Sequence, residues 1–111
     1  MEKLTILWTN ADVGTFDKMV AMYARNSKTK GWWDAVTVVI WGSPAKLAAE
    51  SEVVQLKIRE LLQVGVKVSA CKACADQFGV TEKLQAMGVE VVYWGIPLTE
   101  ILKGREPLLT I

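Results

Sequence analysis

Histidine is absent from this chain of 111 residues, and only two cysteines are present. Ser-His-Asp and Cys-His nucleophilic sites, and the imidazole general base, therefore cannot be built from its residues. Two thiols also fall short of the ligand set of a structural zinc site, so a metal would need carboxylates or a neighbouring subunit. We expect neither protease-like chemistry nor a metal site nor any bound cofactor.

An excess of charge and long apolar runs are lacking as well. The 13 basic and 12 acidic residues are scattered, which leaves no electrostatic footprint for nucleic acid or a membrane surface. No apolar run approaches membrane-spanning length, and Met1-Glu2-Lys3 followed by a short apolar run lacks the layout of a signal peptide. We therefore expect a cytoplasmic protein, in which a pair of cysteines stays reduced and is catalytic or metal-binding.

Short, nearly continuous apolar runs alternate with amphipathic segments along the chain. The runs are rich in β-branched and aromatic residues, as is typical of buried parallel strands, and they cover residues 4–9, 35–41, 66–70, 89–94 and 108–111. The pattern predicts a single domain over residues 1–111. Its fold is predicted to be a three-layer α/β/α arrangement around a mainly parallel five-stranded sheet, a variant of flavodoxin-like and Rossmann-like folds.

Two helices are predicted from apolar residues that share one helical face. The first face comprises Val13, Phe16, Met19, Val20 and Tyr23, and the second comprises Val54, Ile58, Leu61 and Leu62. Helix boundaries are indicated by Ser43 followed by Pro44, and by Gly65 and Gly88 as stops. Gly79 and Thr81 predict two short helices, rather than one, after the third strand.

The two cysteines form Cys71-Lys72-Ala73-Cys74, directly after the third predicted strand and at the start of a helix. The first amides of a helix lack partners and its dipole is positive there, so a thiolate on Cys71 would be stabilised. A helix N-terminus contributes only about 0.3–1 kcal/mol. Further stabilisation would have to come from Lys72, from direct amide hydrogen bonds or from Cys74.

Ligands of such sheets bind outside the carboxyl ends of the strands, where several other residues of this chain lie. The candidates for substrate binding there are Asn10, Trp41, Ser43, Lys72 and Trp94. Asn10 and Ser43 could donate hydrogen bonds to an anion or be ordinary turn and cap residues. The tryptophans could line a pocket or belong to the core or a subunit contact. The first loop holds one glycine, which excludes the dinucleotide fingerprint and the P-loop.

The stretch from Cys71 to Val80 carries a family resemblance. A glycine, Gly79, follows Cys71 by eight positions, and the small aliphatic Val80 comes next. With the order of elements along nearly the whole chain, this spacing resembles the DsrE/DsrF-like family, including YchN-type and TusD-type proteins. The resemblance implies sulfur handling with Cys71 as the persulfide-carrying position, a second cysteine at Cys74 as in YchN-type members, and assembly into trimers or hexamers.

Three classes of function follow. The first is a sulfurtransferase or sulfur carrier, in which Cys71 accepts a persulfide sulfur from a donor protein, carries it covalently and yields it to an acceptor thiol. In this class Cys74 could resolve the persulfide as a disulfide or tune Cys71. The second is a dithiol redox protein that uses both cysteines, although Ala70 and Lys72-Ala73 depart from the flanks of thioredoxin-like enzymes. The third is a non-catalytic, homo-oligomeric binding module.

Overall fold

The computed structural model describes residues 1–111 and contains one sheet of five strands. The strands are β1 (Lys3–Trp8), β2 (Ala35–Ile40), β3 (Lys67–Cys71), β4 (Glu90–Val92) and β5 (Leu108–Thr110). All neighbours are parallel, in the order β4-β3-β2-β1-β5. The predicted α/β fold with a parallel five-stranded sheet is confirmed.

Helices fill the connections between these strands. They are α1 (Val13–Thr15), a π-helix (Phe16–Ala21), α2 (Met22–Thr29), α3 (Pro44–Glu50), α4 (Glu52–Gln63), α5 (Lys72–Phe78), α6 (Thr81–Ala86) and α7 (Gly95–Lys103). The two short helices predicted after Cys71 are present as α5 and α6. Gly79 separates them because it takes a left-handed conformation, with φ of 69°, that favours glycine. No helix has the length and apolar character needed to cross a membrane.

The two faces of the sheet are covered unequally. The chain steps in one direction from β1 to β4 and then returns across the sheet to β5 through α7. Right-handed crossovers therefore place α7 on the face opposite to the other helices. The buried core lies on the face covered by α1 to α6, where alternate strand residues such as Leu4, Ile6 and Trp8 are enclosed. We call the other side of the sheet the α7 face, and no residue of α7 is buried.

The first helical segment departs from the predicted face. Val13 is 38% exposed and Met19 is 36% exposed, so the expectation that both pack in the core is wrong. The reason is the π-helix, whose wider turns change the spacing of residues on one side of the helix. The buried residues there are Phe16, Val20, Ala21 and Ala24. The second predicted face is confirmed, since Val54, Ile58 and Leu61 are buried in α4.

A buried hydrogen-bonded chain joins β3, β4 and the start of α7. The indole Nε1 of Trp94 donates to Ser69 Oγ at 2.7 Å, and Ser69 Oγ donates to the carbonyl oxygen of Glu90 at 2.9 Å. Ser69 is fully buried, and Trp94 is buried above it. The bond satisfies the indole, which would otherwise lose its water partners on burial.

Ser69→Ala is expected to destabilise the fold by about 1–3 kcal/mol, because the indole of Trp94 would be left buried without an acceptor. Urea unfolding followed by far-UV circular dichroism measures the change. Thr110→Ala is the control, since Thr110 is an exposed hydroxyl residue at the other edge of the sheet. Equal unfolding midpoints for the two variants would show that the Trp94–Ser69 bond contributes nothing.

Candidate functional site

Cys71 is the last residue of β3 and lies directly before α5. It is 5% exposed, and its strand partner on β4 is Val92. Its backbone is extended, with φ of −66° and ψ of 117°, as at the N-cap position of a helix. The Cys71 side chain accepts no capping hydrogen bond. Direct hydrogen bonds from the first-turn amides of α5, one of the three expected sources of thiolate stabilisation, are therefore not made. The thiol of Cys74 is the neighbour of Cys71 on the first turn of α5.

Cys74 lies on the first turn of α5, half-buried, with its thiol free of any disulfide. Burial raises the pKa of Cys74 above its ordinary value, and the hydrogen bond with Cys71 raises it further. A hydrogen bond from the backbone N–H of Gly42 acts in the opposite direction. The sequence therefore indicated the pair correctly as neighbours, whereas nothing in its pattern pointed to Gly42.

Lys72 is held by its own helix. Its Nζ lies 2.7 Å from Asp76 Oδ2, one turn along α5, and 5.6 Å from the centre of the Tyr93 ring. The carboxylate of Asp76 raises the pKa of Lys72, and the ammonium of Lys72 together with the hydroxyl of Thr81 lowers the pKa of Asp76. The charge of Lys72 is thus paired with a carboxylate. A substrate-binding role for Lys72 stays a prediction.

The loop after β1 forms a local turn. The side-chain oxygen Oδ1 of Asn10 accepts from the backbone N–H of Asp12 at 3.2 Å. Asp12 Oδ2 in turn accepts from both the backbone N–H and the hydroxyl of Thr15 at 2.7 Å, which caps α1 and lowers the pKa of Asp12. Asn10 therefore serves an Asx-type turn in this structure. Its predicted role in binding a substrate stays a prediction.

Ser43 and Trp41 flank Gly42 in the loop after β2. Ser43 is exposed at the start of α3, and its side chain makes no capping hydrogen bond. Pro44 lies in the first turn of α3, as predicted, and it is buried there. Trp41 is half-buried, and its backbone N–H donates to the carbonyl oxygen of Trp8 at 3.0 Å. The backbone of Gly42, between Trp41 and Ser43, lies near the thiol of Cys74.

The three edge tryptophans do not line one pocket. Trp8 is fully buried in the core and stacks on Phe16, with ring centroids 4.2 Å apart. Trp94 lies against Ser69 on the α7 face, on the other side of the sheet. The sheet thus separates Trp8 from Trp94, and Trp8 is a core residue. The sequence analysis did not identify Ser69, which binds Trp94, or Tyr93, which lies near Lys72. A polar serine within an apolar strand was the signal that could have identified Ser69.

The two cysteines bring two free thiols together at this edge of the sheet. No group of three or more His, Cys, Asp or Glu side chains is arranged to hold a metal ion. A thiol at a strand end with a second, protonated thiol beside it can act as a nucleophile toward sulfur.

The chain was compared with models of protein families and with solved structures. The family model described as the DsrE/DsrF-like family matches residues 9–97, which include both cysteines. The structure of a conserved protein of unknown function, BT1422 from Bacteroides thetaiotaomicron, shares 46% sequence identity with a TM-score of 0.97, over 99% of this chain and 95% of that one. No curated protein matches the sequence.

Two more distant structures share the fold. The ychN protein from E. coli has 18% identity and a TM-score of 0.73, and the coverage is 100% of both chains. MTH1491, a protein of unknown function from Methanobacterium thermoautotrophicum, has 16% identity and a TM-score of 0.75 at the same coverage. At these identities the likeness concerns the fold alone.

Asp76→Asn is expected to lower the unfolding midpoint at neutral pH, because the variant loses the ion pair with Lys72. The pKa of Asp76 is lowered in the folded state, so its stabilisation is full above the ordinary carboxyl pKa of about 4 and is lost as the pH falls through the lowered value. Thermal melts from pH 7 to pH 2 test this. The exposed Glu82→Gln on α6 is the charge-matched control, and a difference from wild type that persists at pH 2 would contradict the assignment.

Proposed function

Because this chain belongs to the DsrE/DsrF-like family, we propose that it handles sulfur, with Cys71 as a carrier that accepts a persulfide sulfur and passes it to an acceptor thiol. The observation that carries the proposal is the place of Cys71 within the matched region, at the carboxyl end of β3 and against the second thiol of the chain. The carried sulfur would be bound covalently, and the reaction needs no further cofactor.

The chemistry consists of two exchanges of one sulfur atom. The Cys71 thiolate attacks the terminal sulfur of a donor persulfide, a new sulfur–sulfur bond forms on Cys71, and the donor leaves as a thiolate. An acceptor thiolate then attacks that terminal sulfur, and Cys71 leaves as a thiolate. Neither step changes the total number of disulfide-type bonds.

Donor and acceptor proteins would approach beside Cys71. Val92, which lies opposite Cys71 in the sheet, and the next residue, Tyr93, are both exposed at this edge. Exposed aromatic and aliphatic side chains together are typical of protein contacts. We infer that Val92 and Tyr93 belong to the docking surface for the sulfur donor or acceptor.

We also propose that the chain forms a homo-oligomer through the α7 face, of the trimeric or hexameric kind that the family resemblance implies. The support lies in α7, which is apolar yet buries no residue, with Ile96 74% exposed and Leu102 58% exposed. A groove of about 250 Å³ between α7 and the sheet is lined by Thr5, Thr37 and Trp94, among other residues. An uncovered helix of this composition favours burial against a second copy.

Cys71→Ser is expected to abolish sulfur loading. Reduced protein is incubated with a small persulfide donor, freed of reductant and weighed by intact-mass spectrometry. Wild type and Cys74→Ser should each gain the mass of one sulfur atom, and Cys71→Ser should gain none. Loading of Cys71→Ser to the wild-type level, or no loading of any variant, would contradict the carrier role.

Leu102→Lys is expected to shift the protein toward the monomer, because a charged side chain on the α7 face would be buried at the proposed contact. Sedimentation velocity over a range of concentrations measures the state. Leu56→Lys on α4 is the matched control, since Leu56 is also 58% exposed. A monomeric wild type, or equal sedimentation of both variants and wild type, would contradict the proposed interface.

A further inference from the structure

Cys71 is nearly inaccessible, although its proposed chemistry requires contact with a thiol of another protein. Only 5% of the residue is exposed. Transfer of a sulfur atom between two thiols needs direct attack of one sulfur on another. Access to Cys71 therefore depends on the segment of the chain that covers it and on the contacts that hold this segment in place.

The edge strand β4 is the strand neighbour of Cys71. The pairing of β2 with β3 ends at Ile40 opposite Ala70, one residue before Cys71, whereas the pairing of β3 with β4 continues to Val92 opposite Cys71. β4 has three residues and lies at the end of the strand order, so it is paired on one side only. A short strand with a free edge opens locally at a lower cost than a strand inside a sheet.

The end of β4 and the residues after it share a face of the sheet with Cys71. Side chains two residues apart on a strand leave the same side, so Cys71 lies on the side of Ser69, which is the α7 face. Val92 lies there too, since residues directly opposite each other in neighbouring strands share a face. Trp94 is buried against Ser69 on this face. We call residues 92–94 the cover segment.

One hydroxyl group holds the chain on both sides of Val92. Ser69 Oγ donates to the carbonyl oxygen of Glu90 at 2.9 Å and accepts from Trp94 Nε1 at 2.7 Å. Both bonds are made two residues before Cys71 on the same strand. Ser69 is fully buried, so the bonds are sheltered from competition by water.

The outer side of the cover segment has a weaker contact. The Tyr93 side chain is 66% exposed, and its ring centre lies 5.6 Å from Lys72 Nζ. Lys72 Nζ is bonded to Asp76 Oδ2 at 2.7 Å, so α5 holds the ammonium in place. A contact between a cation and a ring at an exposed site is weak. A protein that docks on Tyr93 would displace this contact readily, and the Trp94–Ser69 bond is then what keeps the segment closed.

We propose that the cover segment closes over Cys71, with the Trp94–Ser69 hydrogen bond as its latch, and that opening of the segment admits the sulfur donor or acceptor. The inference rests on the proposed function of Cys71 and concerns how its partners reach it. No covalent bond forms or breaks when the segment opens, so Ser69 and Trp94 are positioning residues.

The test measures how fast iodoacetamide alkylates Cys71 at pH 7 in wild type, Ser69→Ala and Trp94→Phe. Trypsin isolates Cys71 in residues 68–72, so its labelling is quantified separately from that of the other thiol. Each variant lacks the latch bond. Loss of one buried hydrogen bond should raise the population of the open segment, and with it the labelling rate, about tenfold.

Two controls separate opening of the cover segment from a general loss of stability. Ile58→Val loses packing in the core on the other face of the sheet, and it should label Cys71 at the wild-type rate. The double variant Ser69→Ala/Trp94→Phe should label no faster than the single variants, because all three lack the same bond.

A wild-type labelling rate in either single variant would overturn the proposal. Equal acceleration by Ile58→Val, or effects that multiply in the double variant, would overturn it as well, because labelling would then follow overall stability rather than the latch. Alkylation uses no sulfur donor, so its outcome is independent of whether Cys71 accepts sulfur, which the intact-mass experiment with Cys71→Ser decides.

Discussion

Parallel, in-register pairing of β2, β3 and β4 is the constraint on which the site depends. It brings Ile40 opposite Ala70 and Cys71 opposite Val92, so the loop containing Gly42 and the exposed Tyr93 flank the same cysteine. Neither Gly42 nor Tyr93 is near Cys71 in the sequence. A change of one residue in this register would turn Cys71 to the other face of the sheet and separate it from these neighbours.

The two faces of the sheet are covered unequally. The core beneath α1 to α6 is closed, and Trp8, Ile40 and Ile58 are fully buried in it. On the other side a single helix, α7, crosses the sheet, and Trp94 with Ser69 provides the buried polar contact there. The fold thus encloses one face of the sheet in the core and leaves the other face covered by a single helix.

Much of this fold could be predicted from the sequence because strand composition, glycine stops and the Cys71–Cys74 spacing are local signals. All five strands lie within two residues of their predicted bounds, and β3 extends one residue beyond its predicted end to include Cys71. The π-helix could not be predicted, since its spacing depends on packing against the sheet. The separation of Trp8 from Trp94, and the pairing of Lys72 with Asp76, also depend on side-chain directions that spacing leaves open. The position of the Gly42 amide near Cys74 could not be predicted either, because it depends on the pairing of β2 with β3.

The central claim, that Cys71 carries the sulfur, is tested most directly by the position of an isotopically labelled sulfur in wild-type protein. The protein is loaded from a donor with ³⁴S in the terminal position, alkylated to trap persulfides and digested with trypsin. The account predicts the label in residues 68–72, which contain Cys71 alone. Label in residues 73–83, or divided equally between the two peptides, would contradict it.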